Sequence, residues 1–257
     1  MIIREKRASA LVESWLSRHR FSTSEFQRMR EAGVLDPKAQ VELLDGLIIA
    51  RTDGVPGSRL PTRESKAMSI LPDGWIPFHR FTVDEFHRMV EMGLFTTNAR
   101  VELIEGEIID LAPAGSWHCG VVDWITALFV GALSPRANVR TQRPVRLSNY
   151  SEPEPDVAVL KAHADGYRSK PPGPSDTLLV IEVSDSSLQT DQMVKVALFA
   201  HFGIPEVWIV DGVHERLHVY RSPKGGQYVD VSSVEQPGMM DLSALADVVV
   251  DVSDLFG

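Results

Sequence analysis

Short apolar runs separated by polar loops dominate the second half of the chain. Residues 156–160, 178–183 and 207–211 each hold four or more apolar side chains, many of them branched. Such runs are typical of strands that are buried on both faces of a sheet. A hairpin partner over residues 217–220 and a last strand or turn over residues 248–256 are also predicted.

Helical spacing appears on either side of these runs. A helix that Ser116 caps near His118 is predicted to have one core face, and a second helix is predicted from about Asp191 to Gly203. The order of helix, strands, helix and strand predicts an α/β fold with a mixed β-sheet flanked by helices. The core positions of the first helix are Val121, Val122, Ile125, Leu128, Phe129 and Leu133.

The first half of the chain contains a partial repeat. Residues 19–49 recur as residues 79–109, and sixteen of the 31 aligned positions are identical. Each copy predicts a helix, which a capping box starts and a glycine ends, followed by two short strands around an Asp-Gly or Glu-Gly turn. The helix signals are Ser22 with Glu25, Thr82 with Glu85, Gly33 and Gly93.

This repeat sets the predicted domain organisation. Residues 1–51 form a helix-plus-hairpin module, residues 52–77 form a linker rich in Gly, Pro, Ser and charge, and residues 78–257 form the main domain. The first copy is too small to bury its apolar face alone, so it must pack on the main domain or on another chain. It is either a dimerisation or regulatory element, or a tolerated duplication.

Charge and cysteine content narrow the choice of function. The chain of 257 residues has a net charge of −9, which is a poor overall match to a nucleic-acid binder. A local basic surface or a solvated loop is nevertheless predicted over residues 136–170, where seven basic residues outnumber four acids. The basic residues are Arg136, Arg140, Arg143, Arg146, Lys161, Arg168 and Lys170.

Cys119 is the single cysteine, which excludes a disulfide framework and a thiolate zinc site. No run of about 18 apolar residues is found, so no membrane-spanning segment is predicted. These features together favour a cytoplasmic location.

Three residues are candidates for chemistry. Asp156 and Glu182 adjoin predicted buried strands, and Lys195 falls one turn inside the following helix. Each is more often structural when it occurs alone, but a carboxylate directly after a buried run needs a cation as its partner. Two carboxylates suit Mg²⁺, which keeps several of its waters, and the carbonyl of Val183 adds a further candidate ligand.

The same region resembles a known family. Residues 182–187, Asp191, Lys195 and residues 203–211 are similar to a bacterial family of restriction-endonuclease-like proteins within the PD-(D/E)XK nuclease superfamily. The resemblance implies a restriction-endonuclease-like core and a site that uses Mg²⁺ or Mn²⁺. Asp156 would be its first acid and Glu182 its second.

The resemblance also has one departure. Where the superfamily motif places lysine the chain has Ser184, and the resemblance implies that the helix residue Lys195 substitutes for that lysine. Glu102 and His118 fall in motifs that relatives share, as a candidate outer metal ligand and a candidate phosphate contact; they can equally be a hairpin residue and a first-turn helix residue.

The expected function is therefore a metal-dependent endonuclease that hydrolyses phosphodiester bonds of DNA, with a homodimer as a candidate assembly. One alternative is a non-catalytic binding module that keeps the nuclease fold, which the acidic net charge favours. Another is a nuclease for RNA or structured DNA, because a metal site recognises only the phosphate.

Overall fold

The computed structural model describes residues 18–50, 78–97, 99–185 and 194–257. The chain divides into two compact units. The first comprises the residues up to Leu111 together with Asn149–Ser151, and the second comprises Ala112–Ser148 and Glu152–Gly257. The predicted linker over residues 52–77 lies outside the described residues, so the predicted domain boundaries stay predictions.

The first unit contains two segments, copy one (residues 18–50) and copy two (residues 78–111), which have the same order of elements. Each has a nine-residue helix followed by an antiparallel hairpin. In the first helix the Ser22 hydroxyl accepts a hydrogen bond from the Glu25 amide, and the Glu25 carboxylate accepts one from the Ser22 amide, as the capping box predicts. The elements are α1 (Thr23–Glu31), β1 (Val41–Leu44), β2 (Leu47–Ala50), α2 (Val83–Glu91), β3 (Val101–Ile104) and β4 (Glu107–Asp110).

Both hairpins close through a tight turn that needs glycine. Asp45 and Gly46 have φ angles of 48° and 78°, and their counterparts Glu105 and Gly106 have 52° and 84°. Two successive positive φ angles are the geometry of a two-residue turn that matches the twist of the strands. A side chain at Gly46 would also lie 2.8 Å from the Cβ of Arg20, so the close approach of the chain excludes one.

The second unit is built on a six-stranded mixed sheet. Its strand order is β10-β9-β8-β7-β6-β5, with β7 and β8 parallel and every other pair antiparallel. A separate antiparallel hairpin of β11 and β12 follows. The strands are β5 (Ala137–Thr141), β6 (Val157–Lys161), β7 (Thr177–Ser184), β8 (Glu206–Asp211), β9 (Arg216–Lys224), β10 (Gln227–Val234), β11 (Met239–Leu242) and β12 (Leu245–Asp251).

Helix α3 (Ser116–Leu133) packs one face into the core of this unit, and α4 (Val196–His201) packs against β9 and β10. Along β7, Ile181 and Val183 join the core that contains α3, so the alternation of a strand puts Glu182 on the other face of the sheet. The predicted α/β architecture with a mixed sheet and helices is confirmed.

Helix α3 also qualifies the expectation about membranes. Among the described residues it is the one helix long and apolar enough to cross a membrane by length and composition. Its apolar residues belong to the core of the second unit, because the positions predicted to face the core are packed there. The buried members of that face are Val121, Val122, Ile125, Phe129 and Leu133.

Some element boundaries differ from the prediction. The alternation of basic with apolar or small residues over 139–147 predicts one half-exposed strand, but β5 ends at Thr141, because Gln142 has a φ of 47° and Pro144 has no amide to donate. Gly115, and not the predicted Ser116, is the N-cap residue of α3, which begins at Ser116. The predicted start of the next helix, near Asp191, lies outside the described residues, and α4 itself begins at Val196. Strands β10 and β11 were not predicted.

Candidate active site

The register of two adjacent strands brings the two candidate carboxylates together. Strands β6 and β7 are antiparallel, and Val157 is paired with Ile181. Asp156 immediately precedes Val157 and Glu182 immediately follows Ile181, so the two acids lie at the same end of this strand pair. Both residues are buried. Each of them also interacts with the same buried lysine, because Lys195 donates to Glu182 and its charge acts on Asp156.

Asp156 is held by contacts from two other elements. Its Oδ2 atom accepts a hydrogen bond of 2.9 Å from the Val183 amide and lies 3.1 Å from His118 Nε2. Its Oδ1 atom has a longer contact, 3.4 Å from the side-chain amide of Gln142. One carboxylate oxygen is therefore fixed by the protein, and the other is only weakly engaged by the described residues.

These contacts keep Asp156 ionised. Burial alone raises the pKa of the Asp156 carboxyl, but the His118 imidazole, the Val183 amide and the Lys195 ammonium lower it, and the net shift of the pKa is downward. The carboxyl is consequently an anion throughout the neutral range. It is ready to bind a cation without first losing a proton.

Glu182 is paired with Lys195. The Lys195 Nζ atom donates a hydrogen bond of 3.1 Å to Glu182 Oε1, and both side chains are buried. Lys195 lies in the helical turn that leads into α4, so the position of that helix decides where its ammonium group points. Because the Lys195 charge also acts on Asp156, the three predicted catalytic side chains form one electrostatic cluster.

Ser184 contributes a further oxygen to this cluster. It lies two residues after Glu182 on β7, hence on the same face of the sheet. Its hydroxyl is buried, and no hydrogen-bond partner for it is found among the described residues. A buried hydroxyl without a partner is costly, so this atom fits a place beside a bound water or ion.

The donor set suits a hard divalent cation. No group of three or more His, Cys, Asp or Glu side chains able to hold a metal is found in the part of the chain that the structure describes. Mg²⁺ does not require such a group, since one or two carboxylates and several waters complete its octahedron. Asp156, Glu182 and the carbonyl of Val183 would hold it, and two carboxylates against one ammonium leave negative charge to balance.

Gln142 is a neighbour of the site that the sequence analysis missed. It follows β5, and its amide donates to the carbonyl of Asp156, which fixes the backbone beside the acid. Its positive φ turns the chain away from the sheet at this point. No motif marks it, because it falls inside the strand predicted over residues 139–147, and its place beside Arg143 was the only available signal.

The remaining candidates are one acid of the first unit and the basic residues of the second unit. Glu102 is buried on β3 of the first unit, and its role as an outer metal ligand stays a prediction. Among the predicted basic residues, Arg136 pairs with Asp247 and Arg146 pairs with Glu152. Exposed basic residues that the structure leaves at the surface are Arg143, Lys161, Arg168 and Lys170.

Comparisons with known proteins bear on this site. The model of the Uma2 family, described as "Putative restriction endonuclease", matches residues 83–253. Among solved structures the chain is similar to a putative nuclease belonging to DUF820 from Anabaena variabilis. The TM-score is 0.55 with 19% identity, and the match covers 68% of this chain and 97% of that chain, a likeness that shows the fold alone. No curated protein matches the chain.

Proposed function

The chain belongs to the Uma2 family of restriction-endonuclease-like proteins, and on that premise we propose that it is a metal-dependent endonuclease that hydrolyses phosphodiester bonds of DNA. The observation that carries the proposal is the cluster of two buried carboxylates and a buried lysine at the ends of β6 and β7. Bound there, Mg²⁺ or Mn²⁺ would neutralise phosphate charge and lower the pKa of a water.

Each residue of the cluster has its own role in the proposed reaction. Asp156, fixed on one oxygen by His118 and the Val183 amide, presents its other oxygen to the cation. Glu182 presents the second carboxylate. The Lys195 ammonium, 3.1 Å from Glu182, orients the attacking water and holds the scissile phosphate, whose negative charge grows during the reaction.

Exposed basic side chains support the choice of a nucleic acid as substrate. Lys161, Arg168 and Lys170 are exposed in the same unit as the cluster. They can neutralise backbone phosphates on an otherwise acidic protein. Each such contact releases counterions, so binding should weaken steeply as salt is raised.

The direct test is nicking of supercoiled plasmid with Mg²⁺ or Mn²⁺. Asp156→Asn and Glu182→Gln keep the size of each side chain and remove its charge, and we expect a loss of at least about a hundredfold in rate, the usual scale for one charge-stabilising group. Asp230→Asn changes an exposed carboxylate of the same unit and serves as the matched control. Equal rates in all four proteins, or cleavage that persists in a chelator, would remove the assignment.

A second candidate function is a non-catalytic binding module with the nuclease fold. It is favoured by Ser184 at the motif lysine position, by the net charge of −9, and by an ion pair that already neutralises one carboxylate. Calorimetry separates the two proposals, because the module binds no Mg²⁺. Parallel assays with single-stranded RNA and with branched DNA distinguish a nuclease of different substrate class.

A further inference from the structure

Copy one and copy two contact each other reciprocally within the first unit. The His19 amide of copy one donates to the Ile108 carbonyl of copy two at 2.8 Å. Its counterpart 60 residues later, the His79 amide, donates to the Ile48 carbonyl at 2.8 Å. Isolated bridges repeat the pattern, because Arg18 pairs with Ile109 and the counterpart Phe78 pairs with Ile49.

Side-chain contacts between the two copies are reciprocal as well. The Arg28 guanidinium donates to the Met92 carbonyl of copy two at 2.7 Å, and the Arg88 guanidinium donates to the Gly33 carbonyl of copy one at 2.7 Å. Both copies contribute equivalent residues to one apolar cluster, whose fully buried members include both Met29 and Met89. The equivalent pairs in this cluster are Phe21 with Phe81, Met29 with Met89, Val34 with Leu94, Val41 with Val101 and Ile48 with Ile108.

Equivalent residues also meet at the centre. The rings of Phe21 and Phe81 contact edge to face with centroids 5.8 Å apart. A residue that contacts its own counterpart marks a local twofold axis. Reciprocal contacts around such an axis are the signature of an isologous interface, in which two copies of one surface bind each other.

We propose that copy one is a built-in partner: it occupies on copy two a self-complementary surface that a second copy of this chain takes when copy one is displaced. The two copies in one chain then form an interface that two separate chains would otherwise form. Residues 51–77 join copy one to copy two in one chain, and covalent linkage through a short segment gives an effective concentration on the order of millimolar. Tethering therefore favours the internal partner over a separate chain.

Differences between the copies reinforce that preference. Arg18 Nε lies 2.6 Å from a carboxylate oxygen of Glu107, an ion pair across the interface. The counterparts of these residues are Phe78 and Leu47, which cannot form it. Two associated copies of copy two would instead place Phe78 against Glu107 twice. The ion pair thus selects copy one as the better occupant without closing the surface to a second chain.

The first test cuts the tether of the full chain. A site for a specific protease is inserted within residues 52–77, and the mass in solution is measured by sedimentation before and after cleavage. We expect a monomer before cleavage and a dimer of the large fragment after copy one is removed by gel filtration. The family match begins at residue 83, the first residue of α2, so it covers most of copy two and none of copy one.

A large fragment that keeps its circular dichroism spectrum but stays monomeric would overturn the proposal. So would an uncut chain that self-associates as strongly as the fragment. A second experiment needs no truncation. In the full chain, Arg18→Glu sets two carboxylates against each other at the interface, and we expect self-association to strengthen about tenfold as copy one is displaced.

The double variant Arg18→Glu, Glu107→Arg restores an ion pair of opposite polarity and should return the chain to a monomer. Lys38→Glu reverses an exposed charge on copy one and is the matched control, with no expected change. Equal self-association of the single and double variants would contradict the proposal, because the effect would then not depend on the pairing of residues 18 and 107.

Discussion

Replacing Lys195 with methionine removes the positive partner of a buried carboxylate. Lys195 Nζ lies 3.1 Å from Glu182 Oε1, and the two side chains are only 11% and 4% exposed. Breaking a buried pair on one side usually costs about 3–5 kcal/mol, because an uncompensated charge stays behind. We therefore expect Lys195→Met to lower the free energy of unfolding by about that amount at neutral pH.

The double variant Glu182→Gln, Lys195→Met separates this cause from lost packing. It removes both charges and keeps both side-chain volumes, and such replacements are often neutral or stabilising. We expect its free energy of unfolding to lie within about 1–2 kcal/mol of the parent, so that the cycle shows strong coupling. Equilibrium unfolding in urea is followed by tryptophan fluorescence, since Trp117, Trp124 and the buried Trp208, three of the five tryptophans, lie in this unit.

Stabilisation by a divalent cation gives a second test of the same variants. A cation bound by Asp156 and Glu182 replaces the charge that Lys195→Met removes, so Mg²⁺ should stabilise this variant more than the parent. A ligand at a hundred times its dissociation constant adds about 2.7 kcal/mol. A loss of less than about 1 kcal/mol for Lys195→Met, as expected for a solvent-screened pair, would contradict a buried ion pair at this position. A double variant as unstable as the single variant would contradict it as well.

Three further predictions concern stability. Gly212→Ala should destabilise the second unit by about 1–3 kcal/mol or more in urea unfolding, because its Cβ would lie 2.3 Å from the Trp117 ring; Gly131→Ala, with nothing within 4 Å, should stabilise α3 by about 0.5–1 kcal/mol. The lowered pKa of Asp156 stabilises the fold above the ordinary value of 3.8, and this contribution is lost as the pH falls through the lower folded value. Asp156→Asn should therefore make the free energy of unfolding fall less steeply as the pH drops from about 5 to about 2, the range around the ordinary pKa. An unchanged slope in this range would contradict the lowered pKa of Asp156.

Local patterns predicted the elements that local interactions decide. The capping boxes at Ser22 and Thr82 start α1 and α2 where expected, since the cap and the residue three positions later are close along the chain. The Asp-Gly and Glu-Gly turns likewise form where their φ preferences require. Strands β10 and β11 escaped prediction because their outward faces are exposed and their sequences have no continuous apolar run.

Only some residues of the candidate site could be predicted from the sequence. Asp156, Glu182 and Lys195 were chosen from position and resemblance, and their proximity follows from strand register and from the turn before α4. Gln142 could not be chosen, because it contacts Asp156 through a turn that no local signal marks. The contact of His118 with Asp156 joins residues 38 positions apart and depends on how α3 packs on the sheet.

The amino-acid sequence alone determined which segments are helix or buried strand, because spacing and capping act over a few residues. It also determined that residues 19–49 and 79–109 fold with the same order of elements and present similar surfaces, because similar sequences fold alike. Only the tertiary structure decided that these two surfaces bind each other reciprocally and that two buried acids from distant segments interact with one buried lysine. Such contacts depend on register and packing between distant segments, which local sequence patterns do not predict.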